Sequence, residues 1–263
     1  MRHSFISLLM IVGTACLGRG AAAQEPFARD RDGDGAFTYL AFGDSLTYGV
    51  GDGVPLGAVV TELPRGDGSG GYPARLASLL NIPAANQGRS GERLVDAGWQ
   101  RFAGTLLAHR GDVVGIEEAA NDAVDEITPA DRYGRALQRL INVTRALGRE
   151  PLMITTPLPC CEDFGYRPYI AAFNAEMKRV AGLNSVRVAD VERAWRTSCS
   201  SPAACEYFVL PDGLHPNSAG YDLMAQTIAA ALLEIDAFTD GGAAALEAAL
   251  GLPAGSVLIR AGQ

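Results

Sequence analysis

Apolar residues along this chain cluster in short segments separated by longer stretches of helical spacing. Residues 37–42, 82–87, 112–117, 152–156 and 186–191 are short segments rich in apolar residues, the first closed by Gly43 and the fourth by Pro157, and they read as strands. Residues 72–80, 94–108, 131–147, 166–181 and 218–235 read as helices. The third of these carries a buried stripe of Tyr133, Leu137, Leu140, Ile141 and Val143, and the second repeats apolar residues at Leu94, Ala97, Phe102, Leu106 and Leu107. Strands alternating with helices of this length predict an α/β chain: a central five-stranded parallel sheet covered on both faces. Such sheets bind ligands at the carboxyl ends of their strands. Ser45, Gly91, Asn121 and the loop 157–163 all fall there.

Two segments lie outside the pattern. Residues 49–71 form a long glycine-rich loop, a length that in a compact domain points to a task or to mobility. Residues 239–263 hold a short alanine-rich helix and the apolar run 256–259, which suits an edge strand, a docking segment or a loosely packed terminus.

The first 23 residues have a different character. A basic start (Met1, Arg2, His3), a largely apolar run over 5–17 and small residues at Ala21, Ala22 and Ala23 match a secretory signal, too short for a spanning helix. Cys16 after Ala15 offers a lipoprotein alternative, for which Gly13 is a poor fit. The expected division is a signal peptide at 1–23, an acidic linker at 24–36, a catalytic domain at 37–238 and a C-terminal extension at 239–263. The expected location is secreted or periplasmic. No later run approaches the length of a membrane span, so stable membrane insertion is not expected.

Removing 1–23 takes away Arg2 and Arg19 and no acid, so the formal charge moves from −8 to −10. That balance argues against nucleic acid as a partner. The remaining cysteines are Cys160, Cys161, Cys199 and Cys205. In an oxidising compartment an even count predicts two disulfides. Bonding between adjacent cysteines is disfavoured by its eight-membered ring. The expectation is therefore a bond from Cys160 or Cys161 to Cys199 or Cys205, with a local Cys199–Cys205 bond as the alternative. Free buried thiols remain a bland reading. Zinc is disfavoured because no histidine lies near these cysteines.

The chemistry is concentrated at the strand ends. Ser45 follows the first strand in F-G-D-S-L, and Asp212 and His215 share D-G-L-H-P near the end of the chain. A serine becomes a nucleophile when a base takes its proton and a third group orients that base. His3 lies in the leader, so His109 is the competing imidazole, and its place before Arg110 and Gly111 suits a helix end. Two further blocks follow the second and third strands: N-Q-G-R-S-G-E over 86–92 and E-E-A-A-N-D over 117–122.

These four blocks, in this order on an alternating sheet, resemble the SGNH (GDSL) hydrolase superfamily over about residues 38–230. The resemblance implies a three-layer α/β/α sandwich of the flavodoxin-like type, with no metal and no organic cofactor in the chemistry. It implies Ser45 as nucleophile and His215 and Asp212 as its triad partners. The oxyanion donors it implies are the backbone of Ser45, the backbone of Gly91 (Gly88 as fallback) and the side chain of Asn121. The third block departs from the usual G-x-N-D, with Ala119 in place of the glycine. That methyl group bears on pocket width and leaves the Asn121 donor in place.

Each of these residues also has a plainer use. Ser45 and Asp212 suit helix caps, Asn121 with Asp122 suits a turn, and Gly91 suits backbone conformation alone. The implied activity is a secreted serine esterase that cleaves carboxylic esters of small molecules or carbohydrates through an acyl-enzyme. Carbohydrate O-deacetylase, lysophospholipase and thioesterase are alternatives within the family. A non-catalytic carbohydrate- or surface-binding protein on the same fold is the alternative outside enzymes.

One motif stands apart. D-R-D-G-D-G over 30–35 places Asp30, Asp32 and Asp34 as in the first half of an EF-hand calcium loop. Position twelve is Ala41, where a glutamate is needed, so a solvated acidic linker is the expectation.

Overall fold

The structure is a computed structural model that describes residues 25–53, 70–125 and 128–261. The leader with Cys16, and residues 54–69 of the glycine-rich loop, lie outside the described residues.

Five short strands form the sheet: β1 (Tyr39–Gly43), β2 (Ala84–Gly88), β3 (Val113–Glu117), β4 (Glu150–Ile154) and β5 (Arg187–Ala189). They are parallel throughout and ordered β2-β1-β3-β4-β5. The chain starts near the middle, runs to one edge and returns to build the other. The order therefore reverses beside β1, where β2 lies on one side and β3 on the other. Above that reversal the connections diverge and leave a crevice.

Alternation along each strand assigns side chains to the two outer layers. Tyr39 and Ala41 of β1, Val113 of β3, and Leu152 and Ile154 of β4 face one layer. Leu40, Phe42, Val114, Ile116 and Met153 face the other. The first layer holds α2 (Gly71–Leu80), α7 (Val191–Ser198), α8 (Ser218–Leu232) and α9 (Gly242–Leu250). The second holds α3 (Trp99–Ala108), α5 (Ala130–Ala146) and α6 (Arg167–Leu183). Two single-turn helices, α1 (Ser45–Tyr48) and α4 (Ala120–Val124), leave the ends of β1 and β3. This is the three-layer sandwich expected of the sequence.

The element boundaries differ from expectation by up to three residues, with larger departures in two helical regions. The helix expected from Leu94 begins with a π-helical turn, Leu94–Gly98, before α3 proper. The amphipathic helix α7 was not anticipated; its eight residues are polar apart from Val191, Ala194 and Trp195, which are buried. The C-terminal segment docks without adding a strand. Leu246 and Ile259 enter the first layer's core, and the Gln226 side chain bonds the backbone of Ser256 and Leu258.

The disulfides also depart from expectation. Cys160 bonds Cys161, and Cys199 bonds Cys205, so neither bond joins the two pairs. The unanticipated α7 explains the second bond. It ends at Cys199, and the turn closed by the Ser201–Ala204 bridge returns Cys205 to a Cα separation of 4.8 Å. Among the described residues no helix is long and apolar enough to cross a membrane.

Candidate active site

β1 delivers Ser45 to the crevice. Gly43 ends the strand where a Cβ would lie 2.0 Å from Thr47 Oγ1 and 2.2 Å from the Glu117 carbonyl, so only glycine lets the chain turn so tightly. Asp44 caps α1, accepting from the Leu46 N–H at 2.9 Å. Ser45 is thereby the first helical residue, and its N–H has no acceptor within the helix.

The loop after α7 brings His215. An isolated bridge between Phe208 and Pro216 closes it, and Val209 N–H donates to the His215 carbonyl. Asp212 Oδ2 accepts from the backbone N–H of Leu214 and of His215, at 3.0 and 2.8 Å. The same carboxylate meets His215 Nδ1 at 3.2 and 3.3 Å. His215 Nε2 lies 3.1 Å from Ser45 Oγ. Ser45, His215 and Asp212 thus form one chain of contacts, although 170 positions separate the serine from the histidine. Burial works against the charge on Asp212, yet the hydrogen bonds from His215 and Leu214 hold its carboxyl below the usual carboxylate range.

The other two strand ends close around the serine. Gly91 sits exposed in the loop after β2 with φ of +76°, held in a turn by the Glu92 N–H donating to the Arg89 carbonyl. Gly88, the alternative, is buried at the end of β2, where a Cβ would meet the Tyr48 nitrogen at 2.2 Å; its role is close packing against α1. Asn121 lies in the first turn of α4, and its amide donates to the Glu92 carbonyl at 2.9 Å and to Asp44 Oδ2 at 3.2 Å. Asp122 accepts from the N–H groups of Leu94 and Val95, which anchors the π-helical turn to α4.

His109 is elsewhere. It ends α3 on the approach to β3, at the amino edge of the sheet, and its carbonyl accepts from Arg149. Ala119 is fully buried in the second layer's core.

The site contains more buried acid than the sequence reading identified. Asp44, Glu117, Glu118 and Asp122 are all inaccessible to solvent. Burial raises the carboxyl of Asp44 and that of Glu118 well above the ordinary range, that of Glu117 to about 7 and that of Asp122 to about 6. Glu117 accepts from Thr156 Oγ1 at 2.9 Å and Thr47 Oγ1 at 3.3 Å. The signal for these residues was the paired E-E at the end of an otherwise apolar strand.

At the opposite edge, Asp30, Asp32 and Asp112 bring ligand atoms within 4.8 Å of one another, a set that could hold a cation. Asp34, which the sequence motif groups with Asp30 and Asp32, pairs with Arg110 instead. Asp112 is already engaged by the N–H groups of Arg31 and Thr38.

Comparison with known proteins agrees with the fold. Residues 41–223 match the model of the GDSL-like Lipase/Acylhydrolase family. No curated protein matches the chain. Among solved structures, a catalytic mutant of an acetylxylan esterase from Geobacillus stearothermophilus is 21% identical. It has a TM-score of 0.62, covering 77% of this chain and 96% of that one. A lipase/acylhydrolase from Enterococcus faecalis is 22% identical, with a TM-score of 0.56 over 73% of this chain and 92% of its own. At these identities the likeness is one of fold.

Proposed function

The chain belongs to the GDSL-like lipase/acylhydrolase family, and from that premise we propose that it is a serine esterase working through Ser45, His215 and Asp212. The observation that carries this is the 3.1 Å contact between Ser45 Oγ and His215 Nε2, backed by the Asp212 carboxylate at Nδ1.

In this reading His215 Nε2 takes the proton as Ser45 Oγ attacks the ester carbonyl. Asp212 keeps Nδ1 protonated, aims Nε2 at the serine and stabilises the imidazolium. The developing oxyanion lies among the N–H of Ser45, the N–H of Gly91 and the amide of Asn121. Of the two acceptors that Asn121 holds at rest, Asp44 is the more distant, so that bond yields an amide hydrogen to the oxyanion. His215 then protonates the leaving alcohol. Water, deprotonated by the same imidazole, hydrolyses the acyl-enzyme.

Residues 37–238 form the catalytic domain of this proposal. Residues 1–23 serve as an export signal to the periplasm or medium, where the two cysteine pairs would stay oxidised. The second reading is removal of acetyl groups from a sugar, supported by the acetylxylan esterase among the structural neighbours. A hydrolysis series of p-nitrophenyl esters from acetate to palmitate, run beside acetylated xylan, separates the two. Turnover of short aryl esters with none on xylan favours the simple esterase. Preference for xylan favours the deacetylase, and no turnover of any ester refutes both.

A further inference from the structure

We infer that Arg75 is a positioning residue for the Ser45–His215 contact, bridging the turn that follows Ser45 and the helix that follows His215. The inference rests on the esterase reading of the site.

The turn after α1 is bonded back onto the serine. The N–H groups of Gly49 and Val50 both donate to the Ser45 carbonyl, at 3.0 and 3.1 Å, and the Asp52 N–H donates to the Gly49 carbonyl at 3.0 Å. A displacement of Asp52 is therefore felt at Ser45. The same turn lies directly against the His215 loop. A Cβ on Gly51 would stand 2.5 Å from the Pro216 carbonyl oxygen and 2.9 Å from a Val209 methyl group. The segments that supply Ser45 and His215 thus meet at close range, and their fit depends on what holds them together.

Arg75, on α2, holds both. Its Nη2 lies 2.9 Å from Asp52 Oδ1, and its Nη1 pairs with Asp52 Oδ2, which also accepts from the Gly71 N–H at 2.9 Å. On its other edge, Nε lies 2.6 Å from Asp222 Oδ1 and Nη2 lies 2.8 Å from Ser218 Oγ. Ser218 opens α8 just after His215, and Asp222 stands one turn further along the same helix. The Arg75 and Asp52 side chains are mostly buried, 20% and 15% exposed. An isolated surface ion pair contributes little, but a planar fork engaged on two edges fixes direction as well as distance. Tyr221 adds a parallel tie, its hydroxyl donating to the Val50 carbonyl at 2.7 Å. Loss of Arg75 therefore loosens the junction without opening it. On the other side of Ser45, Arg101 has a matching place: it bonds the Gly43 and Gln87 carbonyls at 3.2 and 3.0 Å and the Glu92 carboxylate at 2.6 and 2.8 Å.

Misplacing reacting groups by about 1 Å can cost a hundredfold in rate, and a partial loosening correspondingly less. Methionine at 75 keeps the apolar stem and removes every donor. Lysine keeps the charge but offers a point donor in place of the fork, so it cannot serve both edges alike. Arg75→Met is expected to lower kcat on p-nitrophenyl acetate about tenfold, with KM within about twofold, and Arg75→Lys to recover only a minor part of that loss. Arg187→Met breaks a comparable pair, with Glu234, and controls for lost stability; its kcat should stay within about twofold of the wild type. In ¹⁵N spectra the His215 Nε2 signal should shift in Arg75→Met and hold its place in Arg187→Met, a readout that needs no substrate. Should Arg75→Met not fold, Ser218→Ala/Asp222→Ala cuts the α8 side alone and carries the same expectations. Wild-type kcat in the bridge-breaking variant, an effect confined to KM, full recovery with lysine or an unmoved Nε2 signal would overturn the inference. So would an equal fall in kcat in Arg187→Met, since lost stability would then account for both. A wild type inactive on every ester would instead count against the esterase reading, and the Nε2 signal would still decide whether Arg75 holds His215 to Ser45.

Discussion

Ser45 and His215 are brought together by two local devices: a capped helical turn and a loop whose carboxylate bonds its own backbone. Asp212 binds the N–H groups of Leu214 and His215 as well as the imidazole, so the loop and the His215 ring are positioned by one group. His215→Ala should therefore lower kcat by about 10⁴-fold or more in p-nitrophenyl acetate assays, whereas His109→Ala should change it less than twofold. Equal losses in both, or the reverse order, would mean that another group is the base. These three residues were legible because their chemistry needs fixed neighbours in sequence: F-G-D-S-L at a strand end, and D-G-L-H-P with aspartate and histidine three apart. Glu92, Arg101 and Glu118 were not. Glu92 and Arg101 lie in the loop and helix that follow β2 and Glu118 lies just beyond β3, and no local spacing reports their contacts.

The loops matter at the scale of elements, because the strands only supply a platform. The loop 158–163 packs directly on the loop that carries the base. Cys160 N–H donates to the Gly213 carbonyl at 2.9 Å, and Asp163 N–H to that of Asp212 at 3.2 Å. The Cys160–Cys161 bond closes the bend between these contacts. In the variant Cys160→Ser/Cys161→Ser, ester hydrolysis should fail several degrees below the loss of far-UV circular dichroism. Coincident transitions would show that this loop does not restrain the base. The Cys199–Cys205 bond closes a much shorter loop than any long-range pairing would, so its removal should cost only about 2 kcal/mol and leave room-temperature activity intact. This local pairing stood only as the alternative in the sequence because α7 was missed. Its apolar positions, Val191, Ala194 and Trp195, are too few in an arginine-rich segment to declare a helix, and burial of Trp195 decides it.

The whole molecule concentrates ionisable groups in its interior, and this sets how its stability depends on pH. The ordinary carboxylate value lies near 4, whereas burial takes Glu117 to about 7 and Asp122 to about 6, with Asp44 and Glu118 displaced in the same direction. The folded state then binds these protons more tightly than the unfolded chain. Stability should fall as pH rises from about 4 through about 7. Asp212 and Asp112 act oppositely. Burial disfavours their charge, but hydrogen bonds depress both, so their contribution is lost only below the ordinary carboxylate range. The melting temperature should therefore be higher at pH 5 than at pH 7.5, and Glu117→Gln should shrink the difference. A flat or inverted profile that the variant leaves unchanged would contradict this assignment. The parallel sheet and its two covering layers followed from alternation of short strand segments with helical stretches. The buried charge did not, since polar residues within strands read as solvent-facing until their neighbours are known.

The central claim is that Ser45 is a nucleophile activated by His215, and covalent labelling tests it most directly. A fluorophosphonate probe reacts only with a serine whose proton is taken and whose adduct finds an oxyanion site. Incubation of the wild type should add one probe mass, located by peptide mapping on Ser45. Ser45→Ala should add none, and His215→Ala should label at a rate lower by orders of magnitude. Full labelling of Ser45→Ala, or a wild type that remains unmodified, would contradict the account.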